Sequence, residues 1–336
     1  MVKLDNTTPV SSTVQAIYRV YESTARTQQP RPHLGASQIG HPCARYIWYQ
    51  FRWCAPLNAG FDGRMLRLFA TGNIEESRLI DDLKRAGITV SGTQDHYRDH
   101  ENTFFSGSVD GIGTGFPDDP DNRHIIELKS MNDANFKKLV SSGVRIAKPQ
   151  HYVQMQMYLY WSGCVYAEYF AVNKNTDDIY GETVKLDIDC VIQTRTKAEH
   201  ITCSIDPPEK LTANPDDFRC RYCEYRGMCH GSDIPEVNCR TCAHVTPDLE
   251  TGKFVCGITG HTMPPAMETG IHPCRDHIFI PSLIPYPVVC ADGLPEPYVS
   301  YMVGKEVVTN GGKDGYDSGN FRDVVTGFRY CKGANE

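Results

Sequence analysis

The stretch Gly107-Ser-Val-Asp110-Gly111, followed by Glu127-Leu128-Lys129, is the most informative part of this chain. Side chains alternate across a β-strand, so Glu127 and Lys129 lie on one face and Leu128 lies on the other. Residues 113–122 (Gly-Thr-Gly-Phe-Pro-Asp-Asp-Pro-Asp-Asn) are rich in turn formers and predict a hairpin that brings Asp110 beside Glu127. Two carboxylates and an ammonium on one surface indicate a site for Mg²⁺ or Mn²⁺, which prefer carboxylate oxygens. Taken alone, Glu-x-Lys is also typical of an ordinary half-solvated strand.

Composition limits the classes of protein that fit. Of the 336 residues, 40% are hydrophobic and 22% are charged, and 34 Lys and Arg against 41 Asp and Glu give a formal net charge of −7. Nucleic-acid binding therefore needs local basic patches rather than a global basic field. The absence of an apolar leader or membrane-length apolar run predicts no membrane contact and a cytoplasmic location, in the host if the protein is viral. The absence of a Gly-x₄-Gly-Lys-Ser/Thr motif predicts no nucleotide cofactor.

Fourteen cysteines in such a chain indicate metal ligands or buried thiols rather than disulfides. The first set is Cys220-x₂-Cys223-x₅-Cys229, and Cys43 is the best candidate for a fourth ligand. Four thiolates hold either a 4Fe–4S cluster or Zn²⁺. Three clustered ligands with one distant partner favour the iron–sulfur cluster.

A second cysteine set follows the first. Cys239-x₂-Cys242, Cys256 and Cys274 predict a small zinc-ribbon-like module, in which His261 or His272 is an alternative to one of the cysteines. We expect this zinc to have a structural role, because it staples a short segment with little core of its own.

Breakers and periodicity predict an α/β fold with a central mixed sheet flanked by helices. Helices are expected over 63–86, from 132 or 133 to 142, and from Pro149 to about Gly163, with strands over 165–172 and 184–188. Gln154 and Tyr158 share one face of the third helix, whereas Tyr152 and Gln156 form an equivalent pair on another face. The choice between the two glutamines therefore stays open.

The order of these motifs resembles a known nuclease family. Cys43, Glu75 or Glu76, Asp110, Glu127-x-Lys129, Gln154-x₃-Tyr158 and the Cys220 set are similar to the RecB-like branch of the PD-(D/E)XK nucleases, in its members with an iron–sulfur cluster. These include the nuclease of CRISPR adaptation and the nuclease domain of the AddB helicase–nuclease subunit. Residues 127–163 also resemble the phage lambda-type exonucleases. The resemblance covers about residues 33–232 and implies a restriction-endonuclease-like core.

The resemblance also implies roles for individual residues. Asp110, Glu127 and the main-chain carbonyl of Leu128 would bind the catalytic metal. Lys129 would orient or deprotonate the attacking water, and Gln154 with Tyr158 would position the lysine or the DNA. The iron–sulfur relatives often place a metal-binding histidine in the preceding helix, where this chain has glutamates, so Glu76 is the first choice for that ligand and Glu75 the second.

These expectations combine into one functional hypothesis. The chain is predicted to be a Mg²⁺- or Mn²⁺-dependent deoxyribonuclease, an exonuclease of DNA repair, recombination or phage DNA processing. DNA and a recombination or replication protein are its expected partners. The alternative is a non-catalytic nucleic-acid-binding or assembly module stapled by iron–sulfur and zinc sites. The expected DNA contacts are Arg45, Lys137, Lys138 and Lys148, although ordinary surface charge also explains several of them.

The expected organisation has four parts. They are a flexible arm over residues 1–30, a PD-(D/E)XK nuclease domain with its iron–sulfur clasp over 31–235, the zinc-ribbon-like module over 236–282, and a β- and loop-rich tail over 283–336.

Overall fold

The computed structural model describes residues 11–26, 31–56, 61–263, 274–293 and 297–332. The helices in this part of the chain are α1 (Ser12–Arg26), α2 (Ala36–Ile39), α3 (Ala44–Phe51), α4 (Gly63–Arg85), α5 (Asp133–Ala147), α6 (Pro149–Ser162), α7 (Ile188–Cys203), α8 (Arg226–His230) and α9 (Ser318–Lys332). The strands are β1 (Leu34–Gly35), β2 (Thr89–Ser91), β3 (His96–Arg98), β4 (Phe105–Ser108), β5 (Gly111–Thr114), β6 (His124–Met131), β7 (Tyr166–Asn173), β8 (Ile179–Lys185), β9 (Val245–Asp248), β10 (Lys253–Cys256), β11 (Val288–Asp292), β12 (Tyr298–Val303) and β13 (Glu306–Gly311).

A mixed five-stranded sheet lies at the centre, in the order β2-β5-β6-β7-β8. Strands β6 and β7 are parallel, and the other neighbours are antiparallel. A parallel pair needs a crossover connection, which α5 and α6 supply. A three-stranded sheet, β1-β4-β3, accompanies the central one. The predicted α/β fold with a central mixed sheet flanked by helices is confirmed.

Strand β6 is buried on both faces, as expected for a central strand with a parallel neighbour. Ile126 and Leu128 pack in one apolar cluster with Leu79 of α4. Ile125 belongs to the main core, together with Met155 of α6. Because side chains alternate along the strand, Glu127 lies on the α6 side of the sheet.

Residues 12–26 form helix α1, so the expectation of a flexible arm is wrong for this segment. Val14, Tyr18, Tyr21 and Ala25 recur at helical spacing, a pattern that the sequence reading overlooked. Helix α1 packs on the start of α4, where Gly63 N donates to Glu22 Oε1 at 2.9 Å. A Cβ at Gly63 would meet the backbone of Tyr18, so glycine allows this close approach.

The C-terminal region contains a helix as well as strands and loops. Strands β11, β12 and β13 form an antiparallel sheet. Phe321 and Val325 of α9 are buried against Tyr301 and Phe279 in a separate apolar cluster. The predicted β- and loop-rich tail thus missed α9, although Phe321 and Val325 are four residues apart and mark its buried face.

The cysteine-containing segment is anchored to the N-terminal part of the chain by Arg240. This buried guanidinium donates to Phe51 O and Pro32 O, each at 2.8 Å. It also lies 3.8 Å from the ring centroid of Trp53, a cation–π contact.

Three smaller features differ from the sequence prediction. Helix α5 continues to Ala147 through a kink at Gly143, whose φ of 71° suits glycine. Strand β8 ends at Lys185, and Ile188 begins α7 rather than ending a strand. None of the helices in the described ranges combines the length and the apolar character that crossing a membrane requires.

Candidate active site

The β5–β6 hairpin brings Asp110 beside the Glu127-Leu128-Lys129 segment. Gly111 pairs with Ile126 across the two strands, and Asp110 Oδ2 accepts a hydrogen bond from Leu128 N at 2.7 Å. The Lys129 ammonium forms an ion pair with Glu127 Oε1 and lies 3.7 Å from Asp110 Oδ2. It also donates to Leu128 O at 3.0 Å. The hairpin thus gathers two carboxylates, one ammonium and one main-chain carbonyl.

Glu127 is fully buried, with no exposed surface. Burial raises its pKa to about 8: the charge of Lys129 opposes this rise, while those of Asp110 and Glu76 add to it. The pKa of Lys129 is raised in turn, because the charges of Glu127 and Asp110 outweigh the effect of burial. A buried carboxylate held by a lysine and crowded by other carboxylates is typical of functional sites.

The structure distinguishes the two glutamines of α6. Gln154 Nε2 donates to Glu127 Oε2 and to the Tyr158 hydroxyl, both at 3.3 Å. Gln156 instead donates to Lys185 O at 3.0 Å and accepts from Asp187 N at 2.6 Å. Gln154 and Tyr158 therefore lie at the carboxylate site, and Gln156 fastens α6 to the end of β8.

The adjacent glutamates of α4 also lie in different surroundings. Glu76 Oε1 accepts a hydrogen bond from Gln94 Nε2 at 3.1 Å. Burial raises the pKa of Glu76, and the charge of Asp110 adds to the rise. Glu75 lies 3.6 Å from the exposed Arg78 guanidinium. Of the two, Glu76 interacts electrostatically with Asp110 and Glu127.

Two residues at this site were missed by the sequence reading. Tyr169 of β7 is in register with Glu127, and its hydroxyl lies 2.8 Å from His151 Nδ1. Burial lowers the pKa of His151 to about 3, and the charges of Lys129 and Lys148 add to this effect. His151 precedes Gln154 by three residues on α6, so helical spacing was a signal that could have found it.

The first cysteine set surrounds one cavity of about 420 Å³. Cys43, Cys220, Cys223 and Cys229 all line it. Burial raises the pKa of the Cys223 thiol to about 11, and the other three cysteines contribute to the rise. The structure therefore brings Cys43 to the cysteines near residue 220.

Three cysteines of the second set, Cys242, Cys256 and Cys274, interact electrostatically. Burial raises the pKa of Cys242 to about 11, with contributions from Cys256 and Cys274, while backbone N–H groups that bond its sulfur oppose the rise. Hydrogen bonds from Thr259 and Ile258 outweigh burial and lower the pKa of Cys256. His272 lies outside the described residues. Within the described ranges, no group of three or more His, Cys, Asp or Glu side chains is arranged to hold a metal ion.

The four residues expected to contact DNA have different partners. Arg45 donates to the carbonyls of Pro207 and Pro208. Lys137 is paired with Asp133 at 2.8 Å. Lys148 Nζ donates to Asn135 Oδ1 at 2.8 Å, and its pKa is lowered by burial and by the charge of Lys138. Lys138 and Lys148 therefore form a positive pair near the start of α6, whereas Arg45 connects α3 to a loop.

Comparison with known proteins gives only a slight likeness. No family model matches the chain, and no curated protein is similar to it. An alkaline exonuclease from Laribacter hongkongensis is 15% identical over 55% of this chain and 90% of that chain, with a TM-score of 0.39. The same exonuclease in complex with dAMP is 16% identical over 54% and 90%, with a TM-score of 0.36. A phage-related exonuclease from Haemophilus somnus is 15% identical over 38% and 66%, with a TM-score of 0.29. Likeness at these identities and TM-scores does not show the function of this chain.

Proposed function

We propose that the chain is a Mg²⁺- or Mn²⁺-dependent nuclease that hydrolyses phosphodiester bonds in DNA. The observation that carries this proposal is the buried carboxylate of Glu127, held between Lys129 and Gln154 and facing Asp110. Burying a carboxylate is costly unless its charge is used or paired. Lys129 pairs with Glu127 and lies near Asp110. A divalent cation would balance the remaining negative charge of Asp110 and Glu76.

The chemistry of the donors suits a hard divalent cation, although the described side chains are not already gathered around one position. Glu76, Asp110 and Glu127 offer only oxygen atoms, which suit Mg²⁺ or Mn²⁺, and the Leu128 carbonyl adds another. Glu127 Oε1 is buried and accepts no hydrogen bond in the described structure apart from its ion pair with Lys129. When bound, such an ion supplies Lewis acidity toward the phosphate and lowers the pKa of a bound water.

The protein groups around the carboxylates would hold the reacting atoms in place. Lys129 supplies a fixed positive charge beside the position of an attacking water or a phosphate oxygen. Gln154 fixes Glu127 Oε2, and the Leu128 amide fixes one oxygen of Asp110. These bonds orient the carboxylates before substrate arrives, so little reorganisation is needed during the reaction.

Cleavage of end-labelled DNA in Mg²⁺ or Mn²⁺ tests the proposal. We expect Glu127→Gln, Asp110→Asn and Lys129→Ala each to reduce cleavage roughly 100-fold or more, since each removes a preorganised charge. Lys305→Ala is the matched control, because Lys305 is exposed in the turn between β12 and β13 and has no part in the proposed site. Full cleavage by any of the three site variants, or equal loss in the control, would refute the site assignment.

A more specific role in DNA metabolism is proposed as well. We propose an exonuclease of DNA repair, recombination or phage DNA processing, acting in the cytoplasm with DNA and a replication or recombination protein as partners. Lys138 and Lys148, which repel each other near the start of α6, are suited to bind the phosphate backbone. Replacing both lysines with alanine should weaken DNA binding. The slope of log affinity against log salt concentration should fall by the amount expected for about two phosphate contacts.

The two cysteine sets are proposed to hold metals with structural roles. Cys43, Cys220, Cys223 and Cys229 line one cavity and offer four thiolates for a 4Fe–4S cluster. Cys239, Cys242, Cys256 and Cys274 offer four for Zn²⁺, and the N–H···S bonds at Cys242 and Cys256 stabilise thiolates. We accordingly propose that residues 31–235 form the restriction-endonuclease-like nuclease domain, and 236–282 a zinc-ribbon-like module.

A further inference from the structure

The turn between strands β2 and β3 holds a glutamine in an unfavourable backbone conformation. Gln94 has a φ of 64°, in the left-handed region that glycine and asparagine adopt readily and most other residues adopt rarely. In the described part of the chain, only two other residues that are not glycine have a positive φ, Trp53 and Asp177. Such conformations persist only where the surrounding structure holds them, and they cluster at functional sites.

Hydrogen bonds fasten this turn to the segment between β4 and β5, which contains Asp110. Gln94 N donates to Val109 O at 2.9 Å, and Val109 N donates to Asp95 O at 3.1 Å. Asp95 N donates to Gly92 O at 3.0 Å and closes the turn. Val109 has no exposed surface and directly precedes Asp110. The backbone of Gln94 is therefore fixed relative to the carboxylate site.

The side chain of Gln94 reaches from this turn to helix α4. Its Nε2 atom donates to Glu76 Oε1 at 3.1 Å. The charge of Asp110 raises the pKa of Glu76, whereas the charge of Lys129 lowers it, so Asp110 and Glu76 repel each other when both are ionised. A hydrogen bond to the Glu76 carboxylate opposes this repulsion. Because the Gln94 amide is neutral, it does so without placing a positive charge where a metal ion would bind.

The backbone conformation and the side-chain contact of Gln94 place different demands on this position. Glycine would adopt the positive φ without strain, and asparagine adopts it more readily than glutamine does. Neither would reach Glu76 from the same backbone, because glycine has no side chain and asparagine is one methylene shorter. The contact with Glu76 is therefore the feature that only glutamine supplies among these three residues.

We propose that Gln94 is a positioning residue of the carboxylate site, which holds Glu76 beside Asp110 in the orientation that binds Mg²⁺ or Mn²⁺. This inference rests on the proposed function and adds a residue outside the carboxylates to it. In this role Gln94 acts through Glu76 and need not contact the metal or the substrate. Hydrogen-bonding partners of metal ligands contribute to metal affinity because they orient the ligand.

Binding of Mn²⁺ in the absence of DNA tests this role. The electron paramagnetic resonance signal of free Mn²⁺ gives the dissociation constant for the full-length protein. We expect Gln94→Gly and Gln94→Asn each to weaken Mn²⁺ binding about tenfold, as loss of such a partner does. The melting temperature should be unchanged or higher, because both residues suit the positive φ better than glutamine. Thr93→Ala is the matched control, since Thr93 is exposed in the same turn, and it should bind Mn²⁺ as the wild type does.

A double-mutant cycle with Glu76 separates positioning from a general effect on the fold. In the Glu76→Gln background, Gln94→Gly should not weaken Mn²⁺ binding further, because the two residues act as a unit. Additive losses, or wild-type Mn²⁺ affinity in Gln94→Gly, would overturn the inference and leave the nuclease proposal intact. Absence of Mn²⁺ binding by the wild type would overturn the inference as well. If the wild type binds Mn²⁺ in a Gln94-dependent way but cleaves no DNA, the nuclease proposal fails and the positioning role stands.

Discussion

At the scale of the residue, Glu75 and Glu76 are a natural matched pair. They are adjacent on α4, yet the charge of Asp110 adds to the rise in the pKa of Glu76, while Glu75 lies beside Arg78. Glu76→Gln should therefore weaken Mn²⁺ binding and lower cleavage by roughly 10- to 100-fold, as loss of a metal-orienting group does. Glu75→Gln should change neither by more than about twofold.

Titration of cleavage against Mn²⁺ concentration measures this difference. If Glu75→Gln weakens Mn²⁺ binding more than Glu76→Gln does, Glu75 rather than Glu76 is the third metal-binding carboxylate.

The buried Glu127 should also make stability depend on pH. Burial raises its pKa from 4.5 to about 8, so the folded protein keeps a proton that the unfolded chain releases above its ordinary pKa. The contribution of the protonated form is fully present below pH 4.5 and is lost as pH rises through about 8. In EDTA, the melting temperature should fall between about pH 5 and about pH 8 more steeply in the wild type than in Glu127→Gln.

Melting curves across that range, followed by circular dichroism, check the effect. Parallel pH profiles for the two proteins would show that Glu127 does not titrate in this window.

At the scale of the element, the contact between α1 and α4 depends on the small size of Gly63. A Cβ at this position would collide with the Tyr18 carbonyl oxygen, and Tyr18 contributes backbone that cannot rotate away. Gly63→Ala should lower the free energy of unfolding by about 1–3 kcal/mol through this overpacking, with early proteolysis of α1. Gly327→Ala in α9 is the control: a Cβ there meets nothing within 4 Å, so stability should be unchanged or slightly higher.

Chemical denaturation and limited proteolysis distinguish the two variants. Equal stability of Gly63→Ala and the wild type would mean that α1 does not pack on α4 in solution.

The same elements show where sequence reasoning worked. Turn residues around 113–122 predicted the hairpin of β5 and β6, and Gly87 and Gly163 marked helix ends because glycine readily adopts the positive φ required there. Helix α1 was not predicted because its apolar residues are interspersed with many polar ones, although Val14, Tyr18 and Ala25 recur at helical spacing. The extension of α5 past Gly143 was missed because Glu182 Oε2 accepts a hydrogen bond from Val144 N at 2.7 Å, a tertiary contact that supports the kink.

At the scale of the whole molecule, the two cysteine sets should carry different metals. Anaerobically purified protein should be brown and contain about four irons per chain, as one 4Fe–4S cluster requires, together with one zinc. Cys220→Ser should lower iron and leave zinc, and Cys256→Ser should do the reverse. Cys203→Ser is the control, because Cys203 is exposed and belongs to neither set.

Elemental analysis of the four proteins gives the answer independently of nuclease activity. Zinc in both sets, or loss of both metals from either variant, would contradict the assignment.

The local elements follow from the sequence, because strand alternation, turn residues and helix breakers act over a few neighbouring positions. Strand alternation places Glu127 and Lys129 on one face, and the turn residues that follow Asp110 predict a hairpin that brings it beside Glu127. Residues of equal local pattern are distinguished only by the packing of the folded chain. Gln154 rather than Gln156 reaches Glu127, since packing against a sheet selects one helix face. Glu76 accepts a hydrogen bond from Gln94, whereas Glu75 lies beside Arg78. The meeting of Cys43 with cysteines nearly two hundred residues away is likewise a property of the folded chain, because no local pattern fixes such a distance.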